Sequence, residues 1–505
     1  MLQNVFSFKF FIVVVLFADT VALLNLNRFG RVSHTPQKLS SHISDDAYGF
    51  YIHIPYCKKR CSYCDFAIIP VGDNRSEKSH TGFKEMDQNY RRAITTEIDE
   101  LIRSLDNQDN QGSHKKIPLS SIYFGGGTPS LAPIETIVAC LDSINKKFFL
   151  KKDAEITMEM DPSTFDEDHL LALKEIGINR ISLGVQSFTD EILESSGRVH
   201  RRKDVFEAIR MIESVFGSDT NYSIDLISGL PGLNLQLWNI TLLEALSLNP
   251  PPNHVSIYDL QIEEGTAFGK WYGLSDEDER EKRPNIGKQK YENVKKGLLP
   301  LPSPDECAEM YRSASEIMRC NSFEHYEISS YARIESLEVN NKQENENKVW
   351  RSQHNQIYWK VDSQWFAVGL GSTSKLKGKV FARERTLSDY IKWVKTLSNG
   401  ESLDWFPTEI DSVDEEDEDE YVLDTIMTRL RTKDGLDMNW AFNTGGDELL
   451  KSILRGAKLG LDLGLAEIVT SNPDKGDIDK GILRLKDPDG FLFSNNIISE
   501  IFAEI

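Results

Sequence analysis

Three cysteines, Cys57, Cys61 and Cys64, stand close together in the run Tyr-Cys-Lys-Lys-Arg-Cys-Ser-Tyr-Cys. Thiolates are the usual ligands of iron–sulfur clusters, and a cube of four irons normally takes four of them. Three leave one iron open to a small chelating molecule, so the motif suggests a reactive cluster rather than a sealed electron-transfer centre. The same spacings would also put three small apolar residues on one helix face. Pro55 and the cationic Lys58, Lys59 and Arg60 favour instead a loop that stabilises thiolates. A zinc site would need a fourth ligand at typical spacing, and the sequence offers none nearby.

Such a loop needs a scaffold, and from Gly49 onward short β-rich runs alternate with amphipathic stretches, the pattern of parallel β/α architecture. The expected strands are Phe50 to Ile54, Ser121 to Phe124, Glu155 to Met160, Arg180 to Val185, Tyr222 to Leu226 and Val255 to Leu260. The expected helices between them include Ile134 to Ile144, Asp166 to Ile176, Lys203 to Ile212 and Leu237 to Leu246. Six β/α units are too few for a closed eight-stranded barrel, so the expected fold is α/β, a partial, open barrel.

Polar and glycine residues recur at the C-terminal ends of these strands: the cysteines, Gly125-Gly126-Gly127-Thr128, Glu159, Gln186, Asp225 and Gln261. In β/α barrels that rim carries the active site. The glycines let a ligand reach backbone N–H and C=O groups. Glu159, Gln186 and Asp225 could bond ribose hydroxyls or an ammonium group, and Arg198 could hold a carboxylate through paired N–H donors.

At 505 residues the chain is long enough for two or three domains. A net charge of −21 argues against broad binding to nucleic acid or anionic membrane. Six cysteines, three of them clustered, do not make a disulfide framework, which points to a reducing compartment. Asp73 to Tyr90, Leu105 to Lys116, Leu337 to Lys348 and Asp411 to Glu420 read as solvated insertions or linkers. At the N-terminus, apolar Phe10 to Ala18 follows Lys9 like a secretory signal. Thr20 to Ser44 then lacks any acidic residue but carries Arg28, Arg31, Lys38 and several serines, like a transit peptide. The two together predict a two-part plastid address, with a mitochondrial presequence or a membrane anchor as the alternatives.

These features divide the chain into a targeting segment (1–47), a barrel (48–300), a mixed region (301–410) and an acidic linker with a C-terminal module (411–505). The last part reads as helices followed by a hairpin in which Ile482 to Leu485 and Phe491 to Phe493 flank Asp487-Pro488-Asp489-Gly490. That is a winged-helix-like, α+β shape. From Tyr421 onward it holds ten Lys and Arg against fourteen Asp and Glu, which favours a structural or protein-facing role over DNA.

Tyr51-Ile52-His53-Ile54-Pro55-Tyr56-Cys57, followed by Cys61 and Cys64-Asp65-Phe66, resembles the signature of radical S-adenosylmethionine proteins in the branch of oxygen-independent coproporphyrinogen III oxidases and their relatives. Tyr123 to Pro129, Leu183 to Phe188, Ile224 to Pro231 and His354-Asn355-Gln356-Ile357-Tyr358-Trp359 extend the likeness, which runs from about Gly49 to the C-terminus. The resemblance implies a partial six-unit radical-S-adenosylmethionine barrel. It also implies a 4Fe-4S cluster on Cys57, Cys61 and Cys64 and S-adenosylmethionine on the fourth iron. Tyr51, Tyr63, Gly126, Gly127, Thr128, Glu159, Gln186, Arg198, Asp225 and Gln261 would line the cofactor pocket. An electron donor would be needed if radical chemistry is used.

Within this branch the oxidases carry a further cysteine two positions after the third cluster cysteine, where this chain has Phe66. The short lead-in from Ser44 to Tyr51 also leaves no room for the oxidases' N-terminal extension. Both departures resemble HemW-type heme chaperones, which bind heme and pass it to an apo-hemoprotein acceptor; oxidation of coproporphyrinogen III to protoporphyrinogen IX is the alternative. His354 is the candidate heme ligand, with Tyr358 and Trp359 as porphyrin-packing rings. The competing role for His354 is a buried histidine within an aromatic core, and His53 is expected beside the cluster rather than on heme. Gly369-Leu370-Gly371-Ser372-Thr373-Ser374 lacks the histidine that bacterial relatives often have after the Gly-x-Gly segment.

Overall fold

The computed structural model describes residues 48–72, 80–108, 116–272, 297–337, 346–376, 379–399, 415–470 and 481–505. The targeting segment, much of the four polar segments and the tip of the C-terminal hairpin lie outside the described residues.

Six parallel strands form the scaffold: β1 (Tyr48–Ile54), β2 (Ile117–Gly126), β3 (Phe148–Met160), β4 (Arg180–Gln186), β5 (Asn221–Ser228) and β6 (His254–Asp259). Each pairs in parallel with the next, and β1 is hydrogen-bonded to β2 along its whole length. All seven residues of β1 are buried, as expected for a parallel strand covered on both faces. Alternation sends Phe50 outward, where it packs with Phe148 and Phe366, and turns Tyr51 inward onto Tyr123. The expected strands all form, several extended by a few residues, and the helices at 134–145, 167–175, 202–216 and 235–246 match their amphipathic patterns.

The sheet continues past the six units. Residues 301–410 add β7 (Phe323–Glu327), β8 (Ser330–Leu337) and β9 (Glu346–Val349) beyond β6. They also add β10 (Trp365–Val368), β11 (Thr373–Leu376) and β12 (Lys379–Ala382) beyond β1. The strand order is β9-β8-β6-β5-β4-β3-β2-β1-β10-β11-β12, with β7 on β8. Only β10 among the additions runs parallel to the barrel strand beside it; β8 meets β6 antiparallel.

Two sequence expectations are corrected. Asp73 to Tyr90 is not all solvated: a helix begins at His80, and within it Asp87 and Tyr90 are buried. Asp87 accepts hydrogen bonds from Tyr56 and Thr136, which is what brings a charged residue inside. In the C-terminal module, Asp489–Leu492 is a helical turn rather than a strand. The hairpin is made instead by Ala466–Val469 and Ile482–Leu485, with Leu436–Asp437 as a third strand. That module has its own apolar core, which Tyr311, Ile328 and Trp359 join from the mixed region.

Candidate functional site

Just after β1, Cys57 ends a two-residue strand, Tyr56–Cys57, paired with Ile69–Pro70, and Cys61 and Cys64 lie in the irregular loop between the two, which overturns the helical-stripe reading. Backbone bonds pin both ends: Ile69 N donates to Pro55 O, Val71 N to Cys57 O and Gly72 N to Lys58 O. Its middle is tied to neighbouring rim segments, since Ser62 N donates to Ser196 O and Phe268 N donates to Ser62 O. Arg60 does not serve the sulfurs chiefly; its guanidinium donates to the carbonyls of Cys64, Phe66 and Ile68 and clamps the loop on itself. Lys58 reaches across to Ser163 O at 2.8 Å.

Cys57, Cys61 and Cys64 line one large cleft, with about 1500 Å³ of empty space including its solvent-open part. The same walls carry Tyr63, Gly126, Gly127, Thr128, Glu159, Gln186, Arg198 and Asp225, so the structure brings together eight of the ten pocket residues expected from sequence. Tyr51 and Gln261 are not in the lining. Tyr51 stands one layer behind, stacked on Tyr123 and bonded to His53 Nδ1 at 3.2 Å. Gln261 lies half-buried beyond the end of β6.

The glycine turn is a cradle that no other residue could make. A Cβ on Gly126 would stand 2.4 Å from the His53 ring, and one on Gly127 would stand 2.6 Å from Tyr56 O. Gly126 has φ +114°, where glycine is favoured. Gly127 N and Thr128 N donate to Ile54 O and Tyr56 O, locking the turn to the cysteine loop, and Thr128 Oγ1 lies 3.5 Å from Cys57 Sγ.

Glu159 accepts hydrogen bonds from Tyr123 Oη at 2.8 Å and Gly126 N at 2.9 Å. Burial, and then the nearby Asp225 carboxylate, push its carboxyl up to about 7. Burial raises Asp225 to about 6, against the opposing pull of Ser256, Arg180, Ser182 and Arg198. Two buried carboxylates with raised pKa facing one cleft favour a ligand bearing positive charge or several hydroxyl donors. Burial likewise pushes the Cys57 thiol up to about 12 and the Cys64 thiol to about 11.

The residues fit an iron–sulfur cluster with a chelated amino-acid cofactor. No three His, Cys, Asp or Glu side chains among the described residues converge on a point where a single metal ion could sit. Three thiols lining one cleft are the ligand set that a cluster with one open iron takes. Gln186 Oε1 and Arg198 Nε are buried without a hydrogen-bond partner among the described residues, leaving one acceptor and one donor for a ligand. Gln186 also holds φ +65° at a break in the register of β4 with β5, the kind of backbone strain that accompanies functional sites.

His354 lies below this floor. Its ring stacks on Tyr123 at 4.9 Å between centroids, and Tyr123 in turn reaches Glu159. Nδ1 is 2.8 Å from Ser121 Oγ and Nε2 is 2.9 Å from Tyr358 Oη, so both ring nitrogens are engaged and the side chain is buried. Burial lowers its pKa to about 3, which keeps it neutral. His53 is similarly buried, neutral and bonded to Ala67 O, directly behind Gly126.

Residues 51–243 match the Radical SAM superfamily. A heme chaperone HemW from Synechocystis sp. is 32% identical over 90% of this chain and 96% of its own length. The chain belongs to the HemW family of radical S-adenosylmethionine proteins. The HemW of Bacillus subtilis is 30% identical over 68% of this chain and 74% of its own length. A Mus musculus relative, "Radical S-adenosyl methionine domain-containing protein 1, mitochondrial", is 30% identical, with 64% of its own length covered. Among solved structures, coproporphyrinogen III oxidase from Escherichia coli superposes with a TM-score of 0.62 over 91% of each chain at 18% identity, which establishes the shared fold.

In this HemW-family chain the sequence reading missed Asp161, Gly184 and Arg385, all of which line the cleft. Asp161 stands two residues past Glu159, the period-two spacing that returns a side chain to the same face. That spacing was the available signal. Arg385 comes from the mixed region and pairs with Asp65 on the cysteine loop; no local pattern links those two positions.

Proposed function

We propose that this protein is a heme chaperone that carries a 4Fe-4S cluster on Cys57, Cys61 and Cys64, binds S-adenosylmethionine beside it, and transfers heme to an apo-hemoprotein. The observation that carries the cofactor part is one cleft holding three thiols, the Gly126-Gly127-Thr128 cradle and two raised carboxyls. The likeness to chaperones along nearly the whole chain, together with Phe66 on the cleft wall where the oxidases have a cysteine, supports carrier over oxidase.

When bound, the cluster and its cofactor supply one-electron chemistry. The chain's own part is to bind and orient. Thr128 and the glycine turn present backbone to the ligand, Glu159 and Asp225 offer acceptors, and Arg198 offers donors. Tyr63 and Phe66 supply apolar wall, and Tyr63 packs on Phe268.

Anaerobically reconstituted protein should take up hemin with a new Soret band and then lose it to an apo-hemoprotein. Turnover of coproporphyrinogen III without heme transfer would replace this reading with the oxidase. The N-terminal segment argues for plastid delivery, and the mitochondrial name of the mouse relative is the competing address. A fluorescent fusion of residues 1–47 decides between them.

A further inference from the structure

Arg198 lines the cleft and its guanidinium lies against the sulfur of a cluster cysteine, a place it does not hold alone. Nη1 lies 3.6 Å from Cys61 Sγ, whereas Nη2 donates to Gly184 O at 2.7 Å and pairs with Asp161 Oδ2 at 2.9 Å. Nε stays buried without a partner among the described residues. Asp161 is held in turn. Its other oxygen, Oδ1, is 2.8 Å from His200 Nδ1, and the opposite ring nitrogen is 3.1 Å from Val185 O, with the His200 side chain fully buried.

The contacts therefore run from Val185 O through His200 and Asp161 to Arg198 and Cys61, and His200 Nδ1 also lies directly against Arg198 Nη2 at 3.4 Å. Asp161 sits in the turn that ends β3 and takes two further bonds from Thr164 on its backbone oxygen, so the turn cannot swing away freely. A buried guanidinium without a paired carboxylate is strongly unfavourable. Without Asp161, Arg198 would leave its present position or draw in water. Both Asp161 carboxylate oxygens and both His200 ring nitrogens already face protein partners, whereas Arg198 keeps a buried Nε with no partner among the described residues.

We propose that Asp161 and His200 are positioning residues that fix the Arg198 guanidinium between the Cys61 sulfur and an anionic group of the bound cofactor. This rests on the cluster-and-cofactor reading above. Groups that orient metal ligands from behind typically cost about 10- to 100-fold in affinity when removed, and the same scale is expected for groups that orient Arg198.

The test uses the full chain, reconstituted anaerobically, with S-adenosylmethionine binding followed by the perturbation of the reduced cluster's electron paramagnetic resonance signal. Iron content and melting temperature are recorded alongside. Asp161→Asn and Arg198→Lys should each weaken binding about 10- to 100-fold with iron content unchanged. The double variant should be no weaker than Arg198→Lys alone, because both changes remove one arrangement. His200→Leu should weaken binding, and His200→Asn, whose amide can replace Nδ1 as a donor to Asp161, should recover most of it.

Binding by Asp161→Asn within twofold of the unmodified protein, or losses that multiply in the double variant, would overturn the proposal. If Asp161→Asn fails to fold, the His200 pair decides: equal binding by Leu and Asn variants overturns it. If the unmodified protein assembles no cluster or binds no S-adenosylmethionine, the functional reading itself fails, a result distinguishable from failure of the positioning pair.

Discussion

Glu159 and Asp225 titrate where the cleft would be used, and the sign of their effect follows from burial. Both carboxyls are raised in the folded chain, to about 7 and about 6. Without a ligand the folded state keeps protons that the unfolded chain has released, so stability falls as pH rises through those values. A ligand ammonium or hydroxyl donor prefers the ionised carboxylates. The groups facing them, Tyr123, Tyr258 and Arg180, leave burial as the dominant cause. S-adenosylmethionine affinity, measured by titration calorimetry under anaerobic conditions, should therefore rise with pH across this window, and Glu159→Gln should flatten the rise. An affinity that falls with pH would refute the assignment. Gly126→Ala is a second residue-scale case: the added methyl meets the His53 ring and the positive φ adds strain. Denaturant unfolding should show a loss of about 1–3 kcal/mol, with cofactor binding abolished. The cysteines and rim residues were legible because their chemistry is carried by residue type and strand-end position. Asp161 left only its two-residue spacing from Glu159 as a signal, and His200 left none, because a side chain that touches the cleft only through others carries no mark of its own in composition.

At the scale of elements, the helix at Gln353–Trp359 shows where a sequence motif and its role part company. Ser352 caps it, and the Glu155 carboxylate accepts bonds from Ser352 Oγ and from the backbone N–H groups of Gln353 and His354. A carboxylate at a helix N-terminus is a favourable pairing with the helix dipole. The helix thereby docks beneath the barrel, and His354 becomes part of the barrel's interior stacking with Tyr123. His354→Ala would strand Ser121 and Tyr358 and leave a void. A loss of about 3 kcal/mol in denaturant unfolding is expected. If stability is unchanged while the hemin Soret band disappears, the histidine serves heme rather than packing. The β/α alternation was readable because apolar periodicity is local. The sheet's continuation through β8 and β10 was not, since pairing of β10 with β1 joins residues more than three hundred positions apart, as in Phe50 opposite Phe366.

At the scale of the molecule, the mixed region joins two hydrophobic cores. Trp359 ends the helix that carries His354 in its first turn, yet it belongs to the core of the C-terminal module, with Ile426, Leu430 and Leu436 in the same cluster. Arg429 Nη1 donates to Trp359 O at 2.8 Å, closing the junction with a polar bond beside the apolar one. A second tie lies within the barrel: buried Glu97 pairs with Arg383 at 2.8 Å and also accepts from Gly369 N and Tyr390 Oη, fastening the end of β10 to the helix at His80–Gln108. Trp359 read from sequence as a porphyrin-facing ring; its aromatic type was visible, but which core it enters depends on the tertiary path. Trp359→Ala should cost about 3–5 kcal/mol at the junction. Because the C-terminal core would lose its bolt while the cleft keeps all its lining residues, the expected pattern is specific. Limited proteolysis should release the C-terminal module at lower denaturant than in the unmodified protein, while cluster assembly on Cys57, Cys61 and Cys64 and S-adenosylmethionine affinity stay within twofold. Loss of cluster and module together would show instead that the two cores fold as one cooperative unit.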